Sequence, residues 1–94
     1  MSSFEALFGR TAHIIVLEYL IRNRDQICYL SGIAEDTGLS HSSVARVVEP
    51  LLQQGVIEEH DIGKKMRTFT VNEGNEALKL LLQFYDDLDG FVNR

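Results

Sequence analysis

Between Ala12 and about Asn23 the chain carries Ile14, Ile15, Val16, Leu17, Tyr19, Leu20 and Ile21 with few polar interruptions. The pattern predicts a helix that is apolar on most sides, and such a helix is buried by neighbours on more than one face. Thr11 can cap its start. Upstream, Ser2-Ser3-Phe4-Glu5 has the spacing of a capping box. A short helix presenting Phe4, Leu7 and Phe8 is predicted to follow, weakened at Gly9. Downstream, Ile27-Cys28-Tyr29-Leu30 reads as a short extended run. Ser31 to Thr37 is predicted as a brief helix with Ile33 and Ala34 inward and Gly38 as its left-handed C-terminal residue. Ser40 can cap the next helix, from His41, where Val44, Val47, Val48, Leu51 and Leu52 recur at three- and four-residue spacing and mark one buried face. The complementary face holds His41, Ser42, Ala45, Arg46, Glu49 and Gln53. Pro50 lacks a backbone donor and is expected to bend this helix or end its regular part early.

After Gly55 the hydrophobic period changes from 3.6 to 2. Val56 to His60 and Thr68 to Val71 are strand-type runs, joined by Asp61-Ile62-Gly63-Lys64-Lys65-Met66-Arg67, a hairpin with a long, basic, Gly-containing tip. Asn72 is expected to cap a final helix with Glu73 and Glu76 in its first turn. There Ala77, Leu81, Phe84, Leu88 and Phe91 follow a 4-3-4-3 spacing, flanked by Leu78, Tyr85 and Val92 at intervals of seven. The expected fold is mainly α with a small β-hairpin (α+β), in one domain over residues 1–94. Its parts are a three-helix core and hairpin over 11–72 and a C-terminal helix over 73–94.

Composition and charge narrow the function classes. Ninety-four residues, 45% hydrophobic and 24% charged, fit one globular domain. The net charge of −5 excludes a histone-like coat of positive charge. By segment, residues 1–38 hold three bases and five acids, residues 39–71 four of each, and residues 72–94 two bases and five acids. The middle third is thus the least acidic. A single cysteine, Cys28, excludes an intramolecular disulfide and a multi-cysteine zinc site and fits a reducing compartment. The longest apolar stretch, Ala12 to Ile21, is about half of a membrane span. No signal peptide is visible in the first twenty residues, so a cytoplasmic location is expected.

Two short helices joined through Gly38-Leu39-Ser40 form a helix-turn-helix, and the hairpin after them supplies a wing. A helix-turn-helix lays its second helix across the DNA major groove, with residues near the N-terminus reaching base edges. Small or hydrogen-bonding side chains let the helix seat, and His41, Ser42, Ser43 and Ala45 are of that kind. Arg46 adds a long donor. A wing meets phosphates or the minor groove, which favours flexible cations on a slim tip, and Gly63, Lys64, Lys65 and Arg67 fit. The stretch from Ile33 to Val48, IAEDTGLSHSSVARVV, resembles the helix-turn-helix of MarR- and ArsR-type winged-helix transcriptional regulators. Leu51 to Glu58, LLQQGVIE, is similar to their passage into the wing. The likeness covers roughly Ala12 to Asn72 and is nearest to short archaeal regulators. It implies recognition-helix contacts at His41, Ser42, Ser43, Ala45 and Arg46, and wing contacts at Lys64, Lys65 and Arg67. Glu49 departs from the pattern, standing where many relatives carry a cation, and so does Pro50. The cysteine-rich metal signature of ArsR-type sensors is absent, as is the extra helical length that gives MarR-type proteins a ligand cleft.

Plainer readings stand beside these. The plainer reading of Arg46 is a solvated helix arginine pairing with Glu49 or a neighbour, and that of Lys64, Lys65 and Arg67 an ordinary soluble hairpin tip; the DNA role is the favoured one for both. His13 and His60 read as structural, Cys28 as a small buried hydrophobe. No metal and no cofactor are expected, and no nucleophile elbow, phosphate loop or catalytic carboxylate pair can be assembled, so an enzyme is not expected. The Asp86-Asp87-Asp89 group opposes the dipole of its helix. Pairing with Arg22, Arg24 or Arg94 across a subunit contact would account for it. The apolar surface of the last helix, with Phe4, Leu7 and Phe8, exceeds what one small domain needs. A homodimer through Phe4, Leu7, Phe8, Leu81, Phe84, Tyr85, Leu88 and Phe91 is therefore expected, its two recognition helices addressing double-stranded DNA half-sites one turn apart. The sequence leaves open whether a small-molecule effector exists. Two alternatives remain: a winged-helix protein-interaction module, and a replication or partition DNA-binding protein of a mobile element.

Overall fold

The computed structural model describes residues 3–61 and 66–93. These form helices α1 (Ser3–Phe8), α2 (Ala12–Arg22), α3 (Leu30–Thr37), α4 (His41–Gln53) and α5 (Glu76–Val92), and strands β1 (Cys28–Tyr29), β2 (Ile57–Asp61) and β3 (Arg67–Val71). The three strands make one antiparallel sheet in the order β1-β3-β2. Cys28 pairs with Phe69 on one side of β3, and Glu59 pairs with Phe69 on the other. The described chain is thus mainly helical with a small sheet.

Local chemistry sets most element ends. Ser2 of the expected capping box lies outside the described residues. α1 stops where Gly9 turns to φ 88 and donates to the Glu5 carbonyl. The Thr11 hydroxyl accepts from the Ile14 amide at 3.2 Å and starts α2. Gly38, at φ 77, closes α3 with its N–H on the Ala34 carbonyl. The Ser40 hydroxyl then accepts from the Ser43 amide and opens α4. Pro50 does not end α4, which runs three residues further, to Gln53. Its missing N–H leaves only the Arg46 carbonyl without an intrahelical donor. Both residues are on the exposed side of the helix, while Val44, Val47, Val48 and Leu51 stay packed.

The start of α5 differs from the expectation. Asn75, not Asn72, caps it, with Oδ1 accepting from the Leu78 amide at 3.0 Å. Asn72 is committed elsewhere: its amide donates to the Gly55 carbonyl and its Oδ1 accepts from the Gly74 amide. Glu73 therefore sits in the turn before the helix, and only Glu76 lies in its first turn.

Two apolar clusters explain why α2 is apolar on most sides. Val16 and Leu20 pack with Ile33, Val44, Val48, Ile57, Phe69 and Leu78 in the main core, which joins α2, α3 and α4 to the sheet. Ile21 packs with Phe4 and Tyr85 in a second cluster beneath α1 and α5. α5 turns Leu78 and Tyr85 inward, with Leu82 partly buried beside them. The stripe expected to be shared between subunits divides accordingly. Phe4 and Tyr85 are buried in their own protomer, their rings edge-to-face at 5.0 Å, which corrects their assignment to a subunit contact. Leu81 and Leu88 are half-buried, while Leu7, Phe8, Phe84 and Phe91 are exposed. Within the same cluster Glu18 is 2% exposed, and Tyr85 Oη donates to its Oε2 at 2.9 Å. The acidic end of α5 is also satisfied inside the protomer, since Asp86 accepts from Arg24 at 3.1 Å and Asp89 from the Ser3 hydroxyl. Among the described residues no helix is long and apolar enough to cross a membrane.

Candidate nucleic-acid interface

α4 buries its valine and leucine face and leaves His41, Ser42, Arg46 and Glu49 exposed, with Ser43 and Ala45 half-buried between the faces. The first turn is a hydroxyl cluster. Ser40 Oγ lies 3.1 Å from Ser42 Oγ and donates to Ser43 Oγ at 2.9 Å. Ser43 is therefore engaged in the cap, whereas Ser42 faces outward. Arg46 makes no ion pair among the described residues.

Antiparallel pairing of β2 with β3 fixes the base of the hairpin. Asp61 pairs with Arg67 and Glu59 with Phe69, so Glu59 is the diagonal neighbour of Arg67. The Arg67 guanidinium donates twice to Glu59, at 2.8 and 2.9 Å, and once to Glu49 of α4 at 3.2 Å. It also sits 5.4 Å from the centre of the Phe69 ring. These bonds hold Arg67 still more firmly protonated than usual, Glu59 contributing most, and they lower Glu59 below the ordinary carboxylate range. The pairs are partly exposed, so they contribute little to stability, but they fix where the guanidinium lies. Leu30, Ser31, His41, Met66 and Arg67 line one cleft of about 260 Å³. The first turn of α4 and the hairpin base thus share a single concave face.

The predicted residues fall into three groups. His41 and Arg67 line the one cleft, while Ser42 and Arg46 are exposed and Ser43 and Ala45 half-buried on the same helix as His41. Gly63, Lys64 and Lys65, the rest of the expected tip, lie outside the described residues. Glu49 and Glu59 were not expected as partners of Arg67. The hairpin register carried the signal for Glu59; nothing local announced Glu49, which is 18 positions away. A second cleft, of about 490 Å³, lies where α1, α2 and α3 meet, lined by Glu5, Arg10, Glu18, Tyr19, Asp36 and neighbours. It shares no residue with the α4–hairpin face. There the Tyr19 hydroxyl donates to Asp36 at 2.6 Å, which together with burial pushes its phenol up to about 12. Among the described residues no group of three or more His, Cys, Asp or Glu converges as a metal site. No family model, no curated protein and no solved structure matches the chain.

Proposed function

We propose that this chain is a winged helix-turn-helix protein that binds double-stranded DNA as a homodimer and regulates transcription. One observation carries the reading. Arg67 bonds to Glu49 and lines a cleft with His41, so the outward face of α4 and the hairpin are one continuous surface. An exposed polar helix face beside a hairpin is what a major groove and its flanking phosphates require. In this reading α4 lies in the groove, His41, Ser42 and Arg46 approach base edges, and Ala45 and Ser43 keep the helix surface low. Arg67, with Lys64 and Lys65, faces the backbone.

Fluorescence anisotropy with duplex DNA at low salt tests this. Arg46→Ala is expected to cost about 1–3 kcal/mol, mostly in discrimination between sequences. Lys64→Ala with Lys65→Ala is expected to weaken all sequences alike and to flatten the salt dependence by roughly one unit for each phosphate no longer neutralised. Wild-type protein that ignores every duplex at low salt overturns the reading.

Glu49 gives a prediction of opposite sign. It places a carboxylate on the DNA-facing surface and neutralises a wing cation, so Glu49→Gln is expected to tighten duplex binding roughly threefold to tenfold. Weaker binding would show instead that Glu49 aims Arg67 at the DNA. The second reading, a protein-interaction module, draws on the same cluster. With Arg67 held by two acids and a net charge of −5, the described face is close to neutral. Failure of the duplex titration favours it.

A further inference from the structure

The cleft of about 490 Å³ between α1, α2 and α3 is floored by one face of α2 and its C-terminal cap, where Ile15, Glu18, Tyr19, Arg22 and Asn23 recur at helical spacing. Most polar groups that line it are already matched. Arg10 Nε donates to Glu5 at 2.6 Å, and the Tyr19 hydroxyl donates to Asp36. The Thr37 hydroxyl donates to the Ile33 carbonyl at 2.6 Å, and the Asn23 amide to the Tyr19 carbonyl at 2.8 Å. Two opposite charges, one helical turn apart, stand outside this pairing. Glu18 is 2% exposed, and its Oε1 has no hydrogen-bond partner among the described residues. Arg22 is exposed and makes no hydrogen bond or ion pair among them. Asp89, which lines the adjoining cleft with Arg22, accepts instead from the Ser3 hydroxyl and the Asn93 amide.

We infer that this cleft binds a free α-amino acid, with its ammonium on Glu18 Oε1 and its carboxylate on Arg22. A buried carboxylate oxygen without a donor is costly, and an ammonium satisfies it most strongly because both partners are charged. The guanidinium fork of arginine takes a carboxylate in two parallel bonds. Residues four apart on a helix hold their Cβ atoms roughly 5–6 Å apart, and an α-amino acid carries both charges on one carbon, so a single molecule reaches both side chains. A plain amine would set a second positive charge beside Arg22, and a plain carboxylate a second negative charge beside Glu18. Selectivity for the zwitterion thus rests on repulsion as well as attraction. Half-buried Ile15, one turn before Glu18, offers the ligand an apolar wall, and the cleft is within the usual size range of small-molecule sites.

The inference is independent of the proposed function, and its test uses no DNA. Thermal melts of the full chain are run at matched ionic strength with each common L-amino acid, at about 10 mM or its solubility limit, and with butylamine and butyrate as single-charge controls. At least one amino acid is expected to raise Tm by roughly 5–10 °C, the shift that a Kd of about 1 mM gives a domain of this size, while neither control does. Arg22→Gln, a change at an exposed position, is expected to weaken that amino acid at least about tenfold in protein with a wild-type circular dichroism spectrum. Glu18→Gln, which keeps the side-chain shape, is expected to do the same. In an NMR titration of the wild-type chain, the amide shifts are expected to centre on residues 15–23. No rise in Tm with any amino acid would show that Glu18 and Arg22 are served by water or by each other, and overturns the site. Stabilisation by either control equal to that of the best amino acid, or binding unaltered by Arg22→Gln, overturns it as well.

Discussion

Phe69→Ala is expected to lower the unfolding free energy by about 3–5 kcal/mol, the usual cost of removing a buried aromatic ring. The ring is fully buried at the centre of β3, between the β1 pairing at Cys28 and the β2 pairing at Glu59. It packs in the cluster that also holds Val16, Ile33, Val44 and Ile57. Four helix and strand elements therefore line the cavity its removal opens, and a short sheet has little room to collapse into it. For a domain of this size the loss corresponds to a fall of about 15–30 °C in Tm. Phe69→Leu, which keeps most of the volume, is expected to cost about 1 kcal/mol. The alanine variant also removes the surface over which the Arg67 guanidinium rests, so any DNA affinity surviving at low temperature is expected to be weaker. Thermal melts of the two variants decide the matter; an alanine variant within about 1 kcal/mol of wild type contradicts the packing described.

The helix ends were legible because their causes are local. Thr11, Gly38 and Ser40 each act on a backbone group within four residues, and the sequence pattern contains all of that information. Asn72 and Asn75 are equally competent caps by local chemistry. The loop at Gln54–Gly55 accepts from the side-chain amides of both, and they differ in Oδ1: that of Asn72 accepts from the Gly74 amide in the turn, leaving that of Asn75 to accept from Leu78 and open the helix. The facing of α5 was not legible for a related reason. The helix carries two apolar lines, one through Leu78 and Tyr85 and one through Leu80 and Phe84, and periodicity does not say which meets the core. That was decided by α1 and α2, which present Phe4 and Ile21 to Tyr85. The candidate interface divides in the same way. The polar face of α4 followed from spacing alone, whereas the neutralisation of Arg67 depended on a strand register and on a helix far away in sequence.

Tyr85→Phe is expected to cost about 2–3 kcal/mol, out of proportion to the single oxygen it removes. Glu18 lies in the apolar cluster under α1 and α5, and its Oε2 accepts from Tyr85 Oη while Oε1 has no hydrogen-bond partner among the described residues. Removing the phenol strips a buried carboxyl group of the one donor that reaches it among the described residues, and an unsatisfied buried polar group costs more than the bond itself contributed. A cost below about 0.5 kcal/mol would show that another donor takes over. The same hydroxyl makes stability depend on pH at the alkaline end. Burial, then the bond to Glu18 and its charge, push the Tyr85 phenol above its ordinary value, and the Tyr19 phenol is pushed up to about 12 by Asp36. Unfolded tyrosine ionises near 10, so below that pH the two states bind equal numbers of phenolic protons and stability is fully present. Above it the unfolded chain loses protons that the folded chain retains, and stability falls as pH rises toward the folded values. Denaturant titrations on either side of pH 10 are expected to show this decline in wild type, a smaller one in Tyr85→Phe and the smallest in Tyr19→Phe combined with Tyr85→Phe. An equal decline in all three would mean that neither hydroxyl is held by the carboxylate assigned to it.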